Sequence, residues 1–224
     1  MNFYNIDYAY MVEVFPRILR TAPLTLGLAF SAMILGLIIA TCLALTRVFK
    51  IRVLSTLTRV YISFFRGTPL LVQLFMLYYG VPQIIPSLAK MNAMTAAILG
   101  LSLHSAAYMA EIIRGAISSV EKGQMEACLS VGMTPMQAMR RVILPQATRV
   151  AVPSLANSFI SLIKESSLAF TLGVAEMMAQ ARMSSAATYK FFENFLVALL
   201  IYWGISITIG FLQDRIEIKL NKAY

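Results

Sequence analysis

One histidine, His104, stands in an otherwise apolar stretch, with Tyr108 four residues on and Glu111 and Arg114 beyond it. Spacings of three and four set such side chains along one side of a helix. There an imidazole and a phenol can bond a neighbouring helix or line a polar path, while Glu111 and Arg114 suit a helix-end ion pair. Further on, Asn157 precedes the run Lys164-Glu165-Ser166-Ser167. Opposite charges beside a short apolar segment need partners, because desolvating either alone is costly. A carboxylate next to an ammonium offers counter-charges of both signs, whereas Lys164 can equally snorkel to an interface. Gln73, like Asn157, carries an amide that lipid cannot satisfy, so each bonds another helix or a solute. A lone histidine excludes a paired-histidine metal centre, and Cys42 and Cys128 are too isolated for a metal site or a disulfide framework. Met177, Met178 and Met183 form no metal-binding series, so no resident metal is expected. The sequence lacks a Gly-Lys dipeptide, so it cannot cradle nucleotide phosphates in the P-loop manner.

The elements that hold these groups are set by composition. Of 224 residues 59% are hydrophobic and 13% charged, which excludes an ordinary water-soluble domain. Uncharged runs at 22–45, 67–89, 91–110 and 194–213 each reach about the 20 residues that a helix needs to cross a bilayer. Backbone groups in lipid must be paired within their own segment, so an all-α polytopic membrane protein is the reading. The formal charge of +9 then reports orientation rather than nucleic-acid binding. Arg47, Lys50, Arg52, Arg59 and Arg66 lie between the first two runs, and only Lys90 lies between the next two. By the positive-inside rule the first connection is cytoplasmic and the second external. The N-terminus is therefore outside, the C-terminus inside, and the number of crossings odd. Arg17 and Arg20 precede an apolar run too long for a cleaved signal, so the first helix is expected to be retained.

Five helices fit within a single domain over 1–224, at about 21–46, 56–82, 92–117, 146–164 and 192–213. The fourth is awkward. Its uncharged stretch 150–163 spans about 21 Å and contains Pro153. The segment 166–181 is too short to cross and reads as a re-entrant or externally lying helix. Interrupted apolar segments with ionisable residues are where transporters place their sites. Arg66-Gly67-Thr68-Pro69 interrupts the second helix and is a candidate hinge. The basic run also suits anionic lipid headgroups.

In the third connection, Glu126-Ala127-Cys128 is followed at fixed spacing by Gly132 and by Val142-Ile143-Leu144-Pro145. This resembles the cytoplasmic E-A-A-x3-G-x9-I-x-L-P motif of ABC importer permeases, with Cys128 for the second Ala and Val142 for Ile. Such a segment, about 121–145, reads as a short helix, a Gly turn and a second helix that project a knob. Glu126 is expected near the positive end of the first of these helices. The stretches Phe65–Gln73, Ala107–Gly115 and Lys164–Leu168 resemble the polar amino-acid branch that serves histidine, glutamine, arginine and cystine systems.

The resemblance implies the permease subunit of an ATP-driven importer, in the cytoplasmic membrane of a prokaryote. It would carry a polar amino acid, with cystine or a basic amino acid as attractive candidates. Its partners would be ABC ATPase subunits that bind ATP and Mg, an extracytoplasmic solute-binding protein, and a second permease copy or paralogue. Glu126, Ala127, Gly132, Val142, Leu144 and Pro145 would then couple to the ATPase. His104, Tyr108, Asn157, Lys164, Glu165, Ser166, Ser167 and Gln73 are the cavity candidates. An ion-coupled secondary amino-acid carrier is the alternative, and such a carrier has no use for the 126–145 motif.

Overall fold

The computed structural model describes residues 6–221, and the described residues form helices joined by short turns. The first helix, α1 (Tyr8–Leu19), starts where the Asp7 side chain accepts from Tyr10 N. Val14 and Ile18 point into the core, while Tyr8, Val12, Phe15 and Leu19 face outward. It precedes the first span and lies outside the five expected helices.

The centre of the molecule is the pair α2 (Ala22–Val48) and α6 (Ala93–Ser119). Ala29, Ala32, Gly36, Ala40 and Ala44 repeat every three or four residues and are buried, so the backbones can approach closely. A Cβ on Gly36 would lie 2.7 Å from Ser105 Oγ and 2.8 Å from Met109 Cε, too near for either to stay in place. At one end of the pair Glu111 binds both Arg47 of α2 and Arg114 of its own helix, the latter at 2.8 Å.

The second expected helix is not a single rod. It divides into α3 (Arg52–Gly67), α4 (Leu70–Phe75), a π-type turn over Met76–Gly80, and α5 (Val81–Ile84). The axes of Arg52–Gly67 and Leu70–Ile84 differ by 110°. Pro69 has no N–H to continue the ladder, and Thr68 before it is extended at φ −121°, ψ 149°, as a residue preceding proline prefers. The candidate hinge is thus a sharp corner.

The third connection contains α7 (Lys122–Ser130) and α8 (Pro135–Ala138), with Gly132 between them at φ +81°. Thr134 and Gln137 form a reciprocal capping box at the start of α8. A π-type turn over Met139–Ile143 runs straight into α9 (Leu144–Glu165), which has Pro145 in its first turn. The fourth helix is longer than its uncharged stretch, and Pro153 is held inside it. The Pro153 carbonyl accepts from Gln213 Nε2 at 3.2 Å.

Beyond Glu165 a 3-10 turn, Ser166–Leu172, leads to Gly173 at φ +95° and then to α10 (Met177–Thr188). This resolves the expected short helix into two pieces. The last helix, α11 (Phe191–Asn221), extends past the expected end at 213. The start of α10 is tied to its neighbours by Glu176, which is fully buried and accepts from Ala179 N at 2.9 Å, Tyr202 Oη at 2.8 Å and Thr25 Oγ1 at 3.4 Å. Among the described residues, three helices, Ala22–Val48, Ala93–Ser119 and Phe191–Arg215, are long and apolar enough to cross a membrane, and counting each of two bent pairs as one span gives up to five.

Candidate functional site

Between α6 and α9 lies a cavity of about 470 Å³, open on one side and lined by His104, Ser105, Tyr108, Ile112, Ser154, Asn157, Ser158, Ser161 and Glu165. On α6 the spacing 104, 108, 112 makes one stripe. On α9 the series 154, 157, 158, 161, 165 makes the facing one. Helix periodicity alone therefore converts two stretches of chain into two polar walls. The His104 and Tyr108 rings stand 5.2 Å apart, centroid to centroid. Arg66, at the end of α3, holds its guanidinium 5.3 Å from the centre of the Tyr108 ring, a cation–π contact. The corner in the second span thereby reaches the cavity wall.

The structure brings together four of the eight cavity candidates: His104, Tyr108, Asn157 and Glu165. It separates the others. Gln73 is buried behind His104, with its Oε1 2.9 Å from His104 Nδ1, so its amide bonds another helix. Ser166 is fully buried and donates to the Ile163 carbonyl at 2.8 Å. Lys164, on the far side of α9, and Ser167, in the 3-10 turn that follows it, lie beside an outward groove of about 620 Å³ that also contains Phe195, Leu199 and Trp203. A helical repeat of about 100° per residue turns Lys164 away from the face that Glu165 shares with Ser161. That groove is larger but mainly apolar, so the smaller cavity is the better fit to a polar solute. Ser105, Ser154, Ser158 and Ser161 were absent from the sequence candidates. For the three on α9 the signal is the polar repeat along that helix, which can be read by helical spacing once it is known to start at Leu144, whereas Ser105 lies beside His104 on α6.

Away from the cavity, Glu126 and Ala127 are exposed on α7, and Gly132 turns the chain toward α8. Val142 and Leu144 are half-buried, and Pro145 is exposed at the foot of α9. Cys128 is buried within this knob. Glu126 is the fifth residue of α7, with none of the helix's acids in its first turn, so the expected helix-dipole role for its carboxylate does not hold. Its exposure leaves it available to a partner surface.

Residues 32–222 match the family described as binding-protein-dependent transport system inner membrane component, and the chain belongs to that family. It is 57% identical to the probable amino-acid ABC transporter permease protein PatM of Vibrio harveyi, over 98% of this chain and 99% of that one. It is 53% identical to the probable amino-acid permease protein YxeN of Bacillus subtilis (strain 168), over 98% of each. A solved structure described as an amino acid ABC transporter with histidines superposes with a TM-score of 0.89 at 36% identity, covering 96% of this chain and 99% of that one. The chain is a membrane transport component rather than an enzyme.

Proposed function

We propose that the cavity between α6 and α9 is the passage of an ATP-driven importer for a polar amino acid, with cystine or a basic amino acid as its substrate. The observation that carries this reading is the polar, carboxylate-bearing cavity set between two spans and open on one side. Glu165 offers a counter-charge to an ammonium or guanidinium group, and Asn157 and three serines of α9 can donate to a carboxylate or accept from an N–H. A polar face of this kind cannot stand against lipid, where unpaired polar groups cost several kcal/mol each. A second permease copy or paralogue closes its open side. The exposed knob of α7 and α8 seats on an ABC ATPase subunit, which binds ATP and Mg, and an extracytoplasmic binding protein delivers the solute at the opposite face. This orientation leaves the N-terminus outside and the C-terminus inside.

The test is uptake of labelled amino acids into vesicles holding the assembled complex with its ATPase and binding protein. His104→Ala and Glu165→Ala each lower uptake roughly tenfold or more, the scale of a lost hydrogen bond to a charged group, while the complex still assembles. Wild-type uptake and solute-stimulated ATP hydrolysis in both variants would overturn the passage. Uptake that persists without the ATPase and follows an ion gradient would favour the secondary carrier instead.

A further inference from the structure

In an unbroken helix the Phe65 carbonyl would accept from the N–H of residue 69, but that residue is Pro69 and has none. Gln73 is buried four residues further on and turns its amide nitrogen back over the corner. Its Nε2 lies 3.0 Å from Phe65 O, 3.1 Å from Thr68 O and 2.8 Å from Thr68 Oγ1, and its two hydrogens are shared among these acceptors. Two of these acceptors are main-chain carbonyls, which can only accept, so the amide has one orientation: nitrogen toward the corner, oxygen away from it. The oxygen faces His104 Nδ1 at 2.9 Å. An amide oxygen only accepts, so Nδ1 carries a proton. The neutral ring is then left with a bare lone pair on Nε2.

We propose that Gln73 is a positioning residue for the passage. It supplies the donor that Pro69 lacks, and with the same amide it fixes His104 in the Nδ1–H form, so that the ring meets the cavity's solute with a hydrogen-bond acceptor at Nε2. The complementary solute group is an N–H of an ammonium or guanidinium. This last clause rests on the cavity being the passage, whereas the placement of the proton does not. Gln73 itself touches no solute. Its effect on the ring's proton is transmitted through the bond to His104.

His104 is the only histidine of the chain, so labelling histidine with ¹⁵N gives one pair of ring signals. The full chain, purified on a histidine-free tag and placed in lipid nanodiscs, is expected to show a protonated-type Nδ1 and a bare-type Nε2. In Gln73→Leu, which keeps the bulk and removes the acceptor, the two signal types exchange as the proton moves to Nε2. A wild-type spectrum with the proton on Nε2 overturns the proposal, and this decides even if the leucine variant does not fold. A Gln73→Leu spectrum identical to wild type overturns it as well. Added L-arginine, L-lysine or L-cystine shifts the Nε2 signal as its lone pair accepts. An Nε2 signal that none of the three moves removes the acceptor role. Failure of the passage reading is seen separately, as labelled uptake that does not depend on His104 in a protein that still shows Nδ1–H.

Discussion

Asp7 and Lys190 are separated by 183 positions in the chain and by 2.6 Å in the structure. The hydrogen bond from the Lys190 ammonium holds the Asp7 carboxyl below its usual 3.8, and the same bond holds Lys190 above its usual 10.5. The depressed Asp7 contributes fully above the usual carboxylate range and loses its contribution as pH falls through its lowered value. Lys190 contributes fully below the usual lysine value and loses its contribution as pH rises through its raised one. Spin labels at Ala9 and Ala187 should therefore keep a constant separation between about pH 5 and pH 9 and move apart at both extremes, and Asp7→Asn should abolish the acid limb. A separation that drifts across neutral pH would mean that this pair does not hold α1. Single residues were unevenly legible in the sequence. The stripe of His104 and Tyr108 follows from helical spacing, but whether Lys164 or Glu165 faces the cavity depends on the rotation of α9, and adjacent helical positions diverge by about 100°.

Among the elements, the knob of α7 and α8 was readable through the resemblance of Glu126–Pro145 to the importer motif, and the structure turns the chain there at Gly132, at φ +81°. Gly132→Val places a β-branched side chain in that region, at a strain on the order of 1–2 kcal/mol, and redirects α8. The variant is expected to insert in the membrane but to lose its ATPase subunits on co-purification, and normal retention with normal uptake would show the knob to be an ordinary connector. The contact between α2 and α6 was less legible, since alanine and glycine spacing does not name the partner helix. Gly36→Val presses on Ser105 and Met109 and should destabilise the pair by about 1–3 kcal/mol, measured as a lower midpoint of detergent-induced unfolding. An unchanged midpoint would mean that the helices part there freely. The start of α1 escaped sequence reading because twelve amphipathic residues before a long apolar run resemble the flank of that run. The corner at Thr68–Pro69 could be located from proline alone, but its 110° angle could not, because it is fixed by the way α3 and α4 each pack on α6.

For the whole molecule, the described residues give three membrane-length helices, or five spans when each bent pair is counted as one, and the distribution of basic residues predicts which side each connection faces. In a background of Cys42→Ser and Cys128→Ser, a cysteine at Ser87 should react with an impermeant reagent applied from outside, and one at Thr56 should react only after the membrane is opened. The reverse pattern would invert the protein and place the knob outside, away from any ATP. The corner also bears on how the chain enters the membrane during synthesis. The 16 residues of α3 cover only about 24 Å as a helix, and the pieces from Leu70 to Ile84 cover less, so neither alone crosses a core of roughly 30 Å. Both pack on α6, which the ribosome delivers later. The second span must therefore wait at the membrane surface or in the insertion machinery until the third arrives, and the two settle as one unit. Chains truncated near residue 90 and released from the ribosome should leave the segment around Ser87 on the inner side, and released chains truncated after Ser119 should carry it across.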